Sequence, residues 1–270
     1  MDSIWERVAR AAARAQRSGA LHPLATQLEH LAEGGYRFSV RVLAGPDPKR
    51  AAGREQRRTG ADPFLPPYEP ELFVAELGGT HVCLLNKYKV IDGHAVIATR
   101  AYAPQRELLD LADFHALGPF MQNGDALAFY NSSPEGGASQ PHKHLQVLPL
   151  PGAERKGTLL AALAGRDAPA LGFRYASRRL PGPGAWRRPA RLVETYASAL
   201  EEAGAVAAPY NLLATSEAMV VVPRTRGEAF GVPVNALGFA GSLFVPSPDL
   251  LARLKEVGPL ALLRGVGVSA

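Results

Sequence analysis

The feature that most limits how this chain folds is its succession of short strand-like runs, several of them joined by short connections. Phe38, Val40 and Val42 alternate with Ser39 and Arg41, the period of a half-buried strand. Similar runs follow at 72–76, 81–86, 94–99, 125–131, 142–148, 211–215 and 219–222. Helices are expected over 1–17, over 107–120, where Leu108, Leu111, Phe114 and Leu117 recur at helical spacing, and over 192–203. A final helix opens at Ser247, Pro248 and Asp249, which read as N-cap, first-position proline and first-turn acid. No parallel strand-helix-strand alternation is evident. The pattern predicts an α+β fold, mainly an antiparallel sheet with flanking helices. Residues 44–70, dense in glycine, proline and arginine, read as a long loop. Residues 166–190 have a similar composition and read as a linker between an N-terminal region, 1–165, and a C-terminal region, 191–270, the two packed as one compact unit.

Composition enters by exclusion. With 270 residues, 47% hydrophobic and 20% charged, the chain can bury a sizeable core. No stretch nears the roughly eighteen apolar residues of a membrane span. Asp2 and Glu6 interrupt the Arg- and Ala-rich start, and no apolar signal core follows, so it reads as a structural helix and a cytoplasmic location is expected. The single cysteine, Cys83, excludes an intrachain disulfide framework and reads as a buried, inert thiol. A net charge of +5 favours anionic partners without choosing among nucleotides, polyphosphates and nucleic acid.

The segment His142-Lys143-His144-Leu145-Gln146 carries the chemistry. On a strand, His142, His144 and Gln146 share one face, about 7 Å apart, while Lys143, Leu145 and Val147 take the other. A neutral imidazole is a competent nucleophile, and a backbone carbonyl receiving its second N–H would fix the tautomer. Upstream, Gly136-Gly137-Ala138-Ser139-Gln140 offers backbone amides that could cradle an anion, with Asn131 and Ser139 as further donors. By itself His-x-His is equally a pair of surface residues on an edge strand, or a pair of metal ligands wanting a third. No histidine follows His144, which argues against a later histidine completing a metal site or a Ser-Asp-His triad. Walker-type and dinucleotide-binding glycine loops are absent as well.

The string from Asn131 to Gln146, with Gly-Ala-Ser-Gln, one residue, then His-Lys-His-Leu-Gln, resembles the diadenosine tetraphosphate phosphorylase, or ATP adenylyltransferase, family. That family lies on the galactose-1-phosphate uridylyltransferase side of the histidine-triad superfamily. Further similar stretches are 18–23, 85–88, 92–99, 210–213 and 234–241. The resemblance implies a histidine-triad-like fold and makes His144 the nucleophile, forming an adenylyl-histidine that phosphate resolves. His142 and Gln146 would flank the phosphate, and glutamine at the third position goes with transferases rather than hydrolases. Asn131, Gly137, Ala138, Ser139 and Gln140 would hold phosphates and sugar. Lys49, Asn86 and Lys87 would complete the polyphosphate channel, and the turn Asn235-Ala236-Leu237 would bind part of the nucleotide. Without the resemblance, Lys49 reads as a solvated loop lysine, Asn86 and Lys87 as a turn, and Asn235 as equally a site of close backbone packing. The substrates implied are diadenosine tetraphosphate, ATP, ADP and phosphate, with neither nucleic acid nor membrane as partner. No protein metal site or organic cofactor is expected, and a divalent cation, Mg2+ or Mn2+, would come with the polyphosphate. The oligomeric state is left open, a monomer being the simpler expectation. Two departures from the family pattern stand out: Gly93, where a glutamate is common, and a compact region between 150 and 190.

Overall fold

A computed structural model describes residues 2–45, 48–150, 156–165 and 170–270, and leaves the side chains of residues 49–51, 54 and 57 undescribed. In chain order the elements are α1 (Ile4–Ser18), β1 (Thr26–Glu33), β2 (Tyr36–Leu43), α2 (Pro48–Thr59), β3 (Phe73–Leu77), β4 (His81–Leu85), β5 (Ala95–Thr99), α3 (Leu111–Met121), β6 (Ala126–Asn131), β7 (His144–Pro149) and α4 (Leu159–Leu163). The second half supplies β8 (Ala176–Arg179), α5 (Pro189–Ala203), β9 (Tyr210–Ala214), β10 (Ala218–Pro223), β11 (Glu228–Ala229), β12 (Val232–Pro233), α6 (Ala236–Phe239), β13 (Ser242–Val245), α7 (Pro248–Val257) and α8 (Pro259–Val266).

Eight strands form one sheet in the order β3-β4-β5-β7-β6-β9-β10-β8, every pairing antiparallel. A smaller sheet, β1-β2-β13, joins an antiparallel and a parallel pair. The α+β expectation therefore holds. The β6–β9 pair sews the two halves of the sequence into one sheet, so burial does not stop at 165.

The alternation of each central strand divides the core. Leu145 and Val147 of β7, Ala128 and Tyr130 of β6, and Leu212 of β9 point into one apolar cluster with Val8 of α1, Phe114 of α3 and Tyr196 of α5. The opposite face carries two separate clusters. Phe129, Leu148, Leu213 and Val220 meet Val40, Phe239 and Leu263 in one, and Val82, Leu84, Val96 and Ala98 lie under Phe64 in the other. Between those two apolar patches the same face is polar, and it is there that His144 and Gln146 project.

Several local expectations shift. The supposed loop 44–70 contains α2, started by Pro48 where a missing N–H costs nothing. The helix expected from residue 107 begins only at Leu111. Asp110 caps it, accepting from Ala112 N and Asp113 N, while the Asp113 side chain returns a bond to Asp110 N. Leu108 and Leu111 are exposed, so the apolar spacing overran the helix start. Residues 176–179, inside the expected linker, form β8, the sheet edge beyond β10. α7 starts as predicted, Ser247 Oγ accepting from Leu250 N.

Candidate active site

Strand β7 begins at His144, two residues later than expected, because 141–143 are held by the segment 103–105 instead. Lys143 N donates to Ala103 O and Gln105 N to Pro141 O, while Thr99 N still reaches Lys143 O. The side chains alternate as predicted. At the mouth of the site β6 and β7 separate, and the buried Gln105 amide fills the gap. Its Oε1 accepts from His144 N at 2.8 Å and its Nε2 donates to Asn131 O at 2.7 Å.

His144 is buried, and its Nδ1 donates to the carbonyl of His142 at 2.8 Å. That bond puts the proton on Nδ1 and the lone pair on Nε2, the arrangement a nucleophilic imidazole needs. The ring of Phe64 lies 4.9 Å from that of His144, centre to centre. His142 is held at both ring nitrogens, Nδ1 by Asp62 Oδ2 at 2.8 Å and Nε2 by Thr99 Oγ1 at 2.9 Å, between Phe64 and Tyr102. Gln146 Oε1 is 2.9 Å from His94 Nε2, and Asn86 Nδ2 is 3.3 Å from His94 Nδ1.

On the far face of the strand, Lys143 is ion-paired with Asp113 of α3 at 2.7 Å and donates to Leu108 O at 2.9 Å. His81 Nε2 meets the other Asp113 oxygen at 3.0 Å. Burial raises the Asp113 carboxyl, but the His81 hydrogen bond, the Lys143 charge and hydrogen bond, and the Asp110 amide together outweigh it and hold the pKa below 3.8. Cys83, also on this side, is buried, and loss of hydration pushes its thiol up to about 12, as the inert reading requires.

The glycine-rich string folds as a tight turn over Pro134–Gly136, capped by Ser133. The amides of Gly136 and Ala138 bond to Ser133 O and that of Gly137 to Pro134 O, so these three N–H groups serve the turn itself. Gly137 has φ +90° and lies so close to the Val234–Asn235 backbone that a Cβ would sit 2.7 Å from Val234 O. Only glycine fits there. Gln140 forms a reciprocal amide pair with Gln56 of α2 at 2.5 and 2.7 Å.

Asn131 Oδ1 accepts from both Asn211 Nδ2 and Ala236 N at 2.9 Å, which leaves its own NH2 as the donor end. Asn235 caps α6, accepting from Leu237 N at 3.0 Å. The structure thus brings Asn131, the glycine turn and Asn235-Ala236-Leu237 together, although they are a hundred residues apart in sequence. Arg224, buried and over the Phe239 ring, fastens the group with bonds to Gly136 O, Val234 O and Asn211 Oδ1. Loss of hydration pulls its guanidinium below the usual range. Asn86 joins the triad through His94, while Lys87 is half-exposed and paired with Glu69 at 2.7 Å. The backbone of Lys49 lies in the first turn of α2 and its side chain falls outside the described residues.

Sequence reasoning did not find Asp62, Gln105, Asn211 or Arg224. Each acts on partners roughly 10 to 90 positions away, and of the four only Asn211 lies in a stretch, 210–213, that the family resemblance touches.

The profile of the Ap4A phosphorylase N-terminal domain matches residues 1–163. The chain belongs to the Ap4A phosphorylase family. The ATP adenylyltransferase C-terminal domain matches residues 169–269, so both parts of such an enzyme are present. Among relatives of this phosphorylase, Protein APA1 of Saccharomyces cerevisiae is 26% identical over 238 residues, covering 75% of this chain and 74% of its own length. Diadenosine 5',5'''-P1,P4-tetraphosphate phosphorylase 2 of the same yeast is 26% identical over 258 residues, covering 81% and 78%. The crystal structure of yeast Ap4A phosphorylase Apa2 in complex with Ap4A superposes with a TM-score of 0.82 at 21% identity, over 98% of this chain and 97% of that one. It establishes the shared fold. No helix among the described residues is long and apolar enough to cross a membrane.

Proposed function

We propose that the enzyme phosphorolyses diadenosine tetraphosphate to ATP and ADP through an adenylyl group carried on His144, and that it runs in reverse to make the dinucleotide. The observation that carries this reading is the bond from His144 Nδ1 to His142 O, which leaves Nε2 as the nucleophilic nitrogen on the polar seam. Nε2 attacks an α-phosphorus and ATP leaves. A phosphate oxygen then attacks the same phosphorus, the N–P bond breaks and ADP departs. The barrier falls by positioning and charge neutralisation rather than by further covalent chemistry.

His142 acts through its carbonyl and by packing beside His144, since Asp62 and Thr99 hold its ring nitrogens. Gln146 donates to the transferred phosphate. Ser139 and Gln140 meet the polyphosphate, while Gly137 and Ala138 give shape, their amides being engaged in the turn. The Asn131 NH2 and the turn at Asn235, Ala236 and Leu237 face the nucleotide, and Lys49 and Lys87 meet the outer phosphates. A divalent cation would accompany the polyphosphate and neutralise part of its charge.

The test is single-turnover mixing with diadenosine tetraphosphate labelled at its α-phosphates. Acid-labile, base-stable label should appear on the protein, vanish in His144→Ala, and be discharged faster as phosphate is added. Label persisting in His144→Ala would remove the nucleophile. Discharge indifferent to phosphate would make the enzyme a hydrolase with the same intermediate.

A further inference from the structure

We propose that His94 is a positioning residue that locks Gln146 with its amide NH2 turned toward the transferred phosphate. The chain of hydrogen bonds begins at a backbone N–H, which can only donate. The backbone N–H of Tyr88 lies 3.1 Å from one end of the Asn86 carboxamide, so that end is its oxygen. The other end, 3.3 Å from His94 Nδ1, is therefore the NH2, and Nδ1 must accept from it. A neutral imidazole that accepts at Nδ1 carries its proton on Nε2. His94 Nε2 lies 2.9 Å from Gln146, so the Gln146 atom it meets is the carbonyl oxygen. What remains of Gln146 is a pair of N–H donors.

The direction of this chain matters chemically. Phosphate oxygens accept and cannot donate, so a donor end facing them neutralises charge that grows during transfer, whereas a carbonyl turned the same way repels it. A free glutamine side chain would sample both orientations. The His94 ring is itself fixed, nearly buried, 5.7 Å from the Phe129 ring, with its carbonyl accepting from Asn86 N at 3.1 Å. Asn86 thus acts two residues removed from the phosphate, by setting the tautomer of His94.

The inference rests on the reading above that Gln146 touches the transferred phosphate, and two measurements separate the two. The first is the 15N spectrum of the imidazoles in the substrate-free protein, assigned with His94→Gln. The neutral His94 ring should be protonated at Nε2, and protonation at Nδ1 would overturn the relay whatever the enzyme's turnover shows. The second is the rate of label appearance on His144 in three backgrounds. His94→Gln restores a donor to the Gln146 oxygen and should stay within a few-fold of wild type. His94→Glu has the same length but accepts, so it should turn the Gln146 amide over and slow labelling on the order of 100-fold. In a Gln146→Ala background the two substitutions should differ by less than about threefold, because the group they orient is gone. Equal impairment by His94→Gln and His94→Glu, or a difference that survives Gln146→Ala, would show a merely structural role. Label missing from the wild-type protein would count against the His144 intermediate and leave the tautomer result standing.

Discussion

Substituting Lys143 by methionine keeps the length and apolar stem of the side chain and removes its charge from beneath the proposed nucleophile. The ion pair with Asp113 is 2.7 Å long, and the two side chains are only 4% and 1% exposed. Breaking a buried pair from one side costs about 3–5 kcal/mol, because the partner's charge is left without compensation. Asp113 keeps His81 and the Asp110 amide, so the lower end, about 3 kcal/mol, is expected. For a chain of this size that is a fall in Tm of roughly 6–12 °C, or about 1 M urea in the unfolding midpoint. Adding Asp113→Asn removes the stranded carboxylate and should recover about half the loss, since a neutral amide is far cheaper to bury than an unpaired charge. The assay is urea unfolding of wild type, both single variants and the double variant at pH 7. A midpoint for Lys143→Met within 0.2 M of wild type, or a double variant no more stable than Lys143→Met, would refute the claim that charge compensation, not packing, holds this face of β7.

Three other outcomes follow from the same geometry. Asp62→Ala removes a charged hydrogen bond of about 1.5–3 kcal/mol from His142, so labelling of His144 should slow by roughly 10- to 100-fold, and an unchanged rate would dismiss Asp62 as a surface ornament. Gly93 has φ +72° and an added Cβ would lie 2.8 Å from Pro149 Cγ, so Gly93→Ala should cost at least the 1–2 kcal/mol, roughly, of a left-handed side chain, measurable by urea unfolding. The Asp113 carboxyl is held below its ordinary value in the folded chain. Its contribution is therefore present above about pH 4 and lost as pH falls through the lower folded value, so Tm should drop steeply from pH 4 to 2 and less steeply in Asp113→Asn.

What could be read from the sequence was what lies within a few residues of itself. The period-2 alternation of 142–148 fixed which side chains share a face before any partner strand was known, and Ser247-Pro248-Asp249 announced α7 through a cap that needs only its own first turn. β1 escaped because none of its residues is fully buried, lying as it does at a sheet edge, and the four residues of β8 gain their strand character only from pairing with β10. α2 hid among glycines and prolines whose local signal is that of a loop. Gly93, conspicuous as a departure from the family pattern, has a local cause in the left-handed turn packed on Pro149, which also sets the position of His94 directly after it. The site divides along the same line. The groups proposed to react and to face the phosphate sit in one string because a turn and a strand suffice to converge them, whereas the groups that hold them, Asp62 on His142, Gln105 on His144 and His94 on Gln146, arrive from 39 to 80 residues away. Orientation requires a second body that does not move with the strand it steadies. A motif contained in one strand cannot supply that body, which is why the motif was legible and its supports were not.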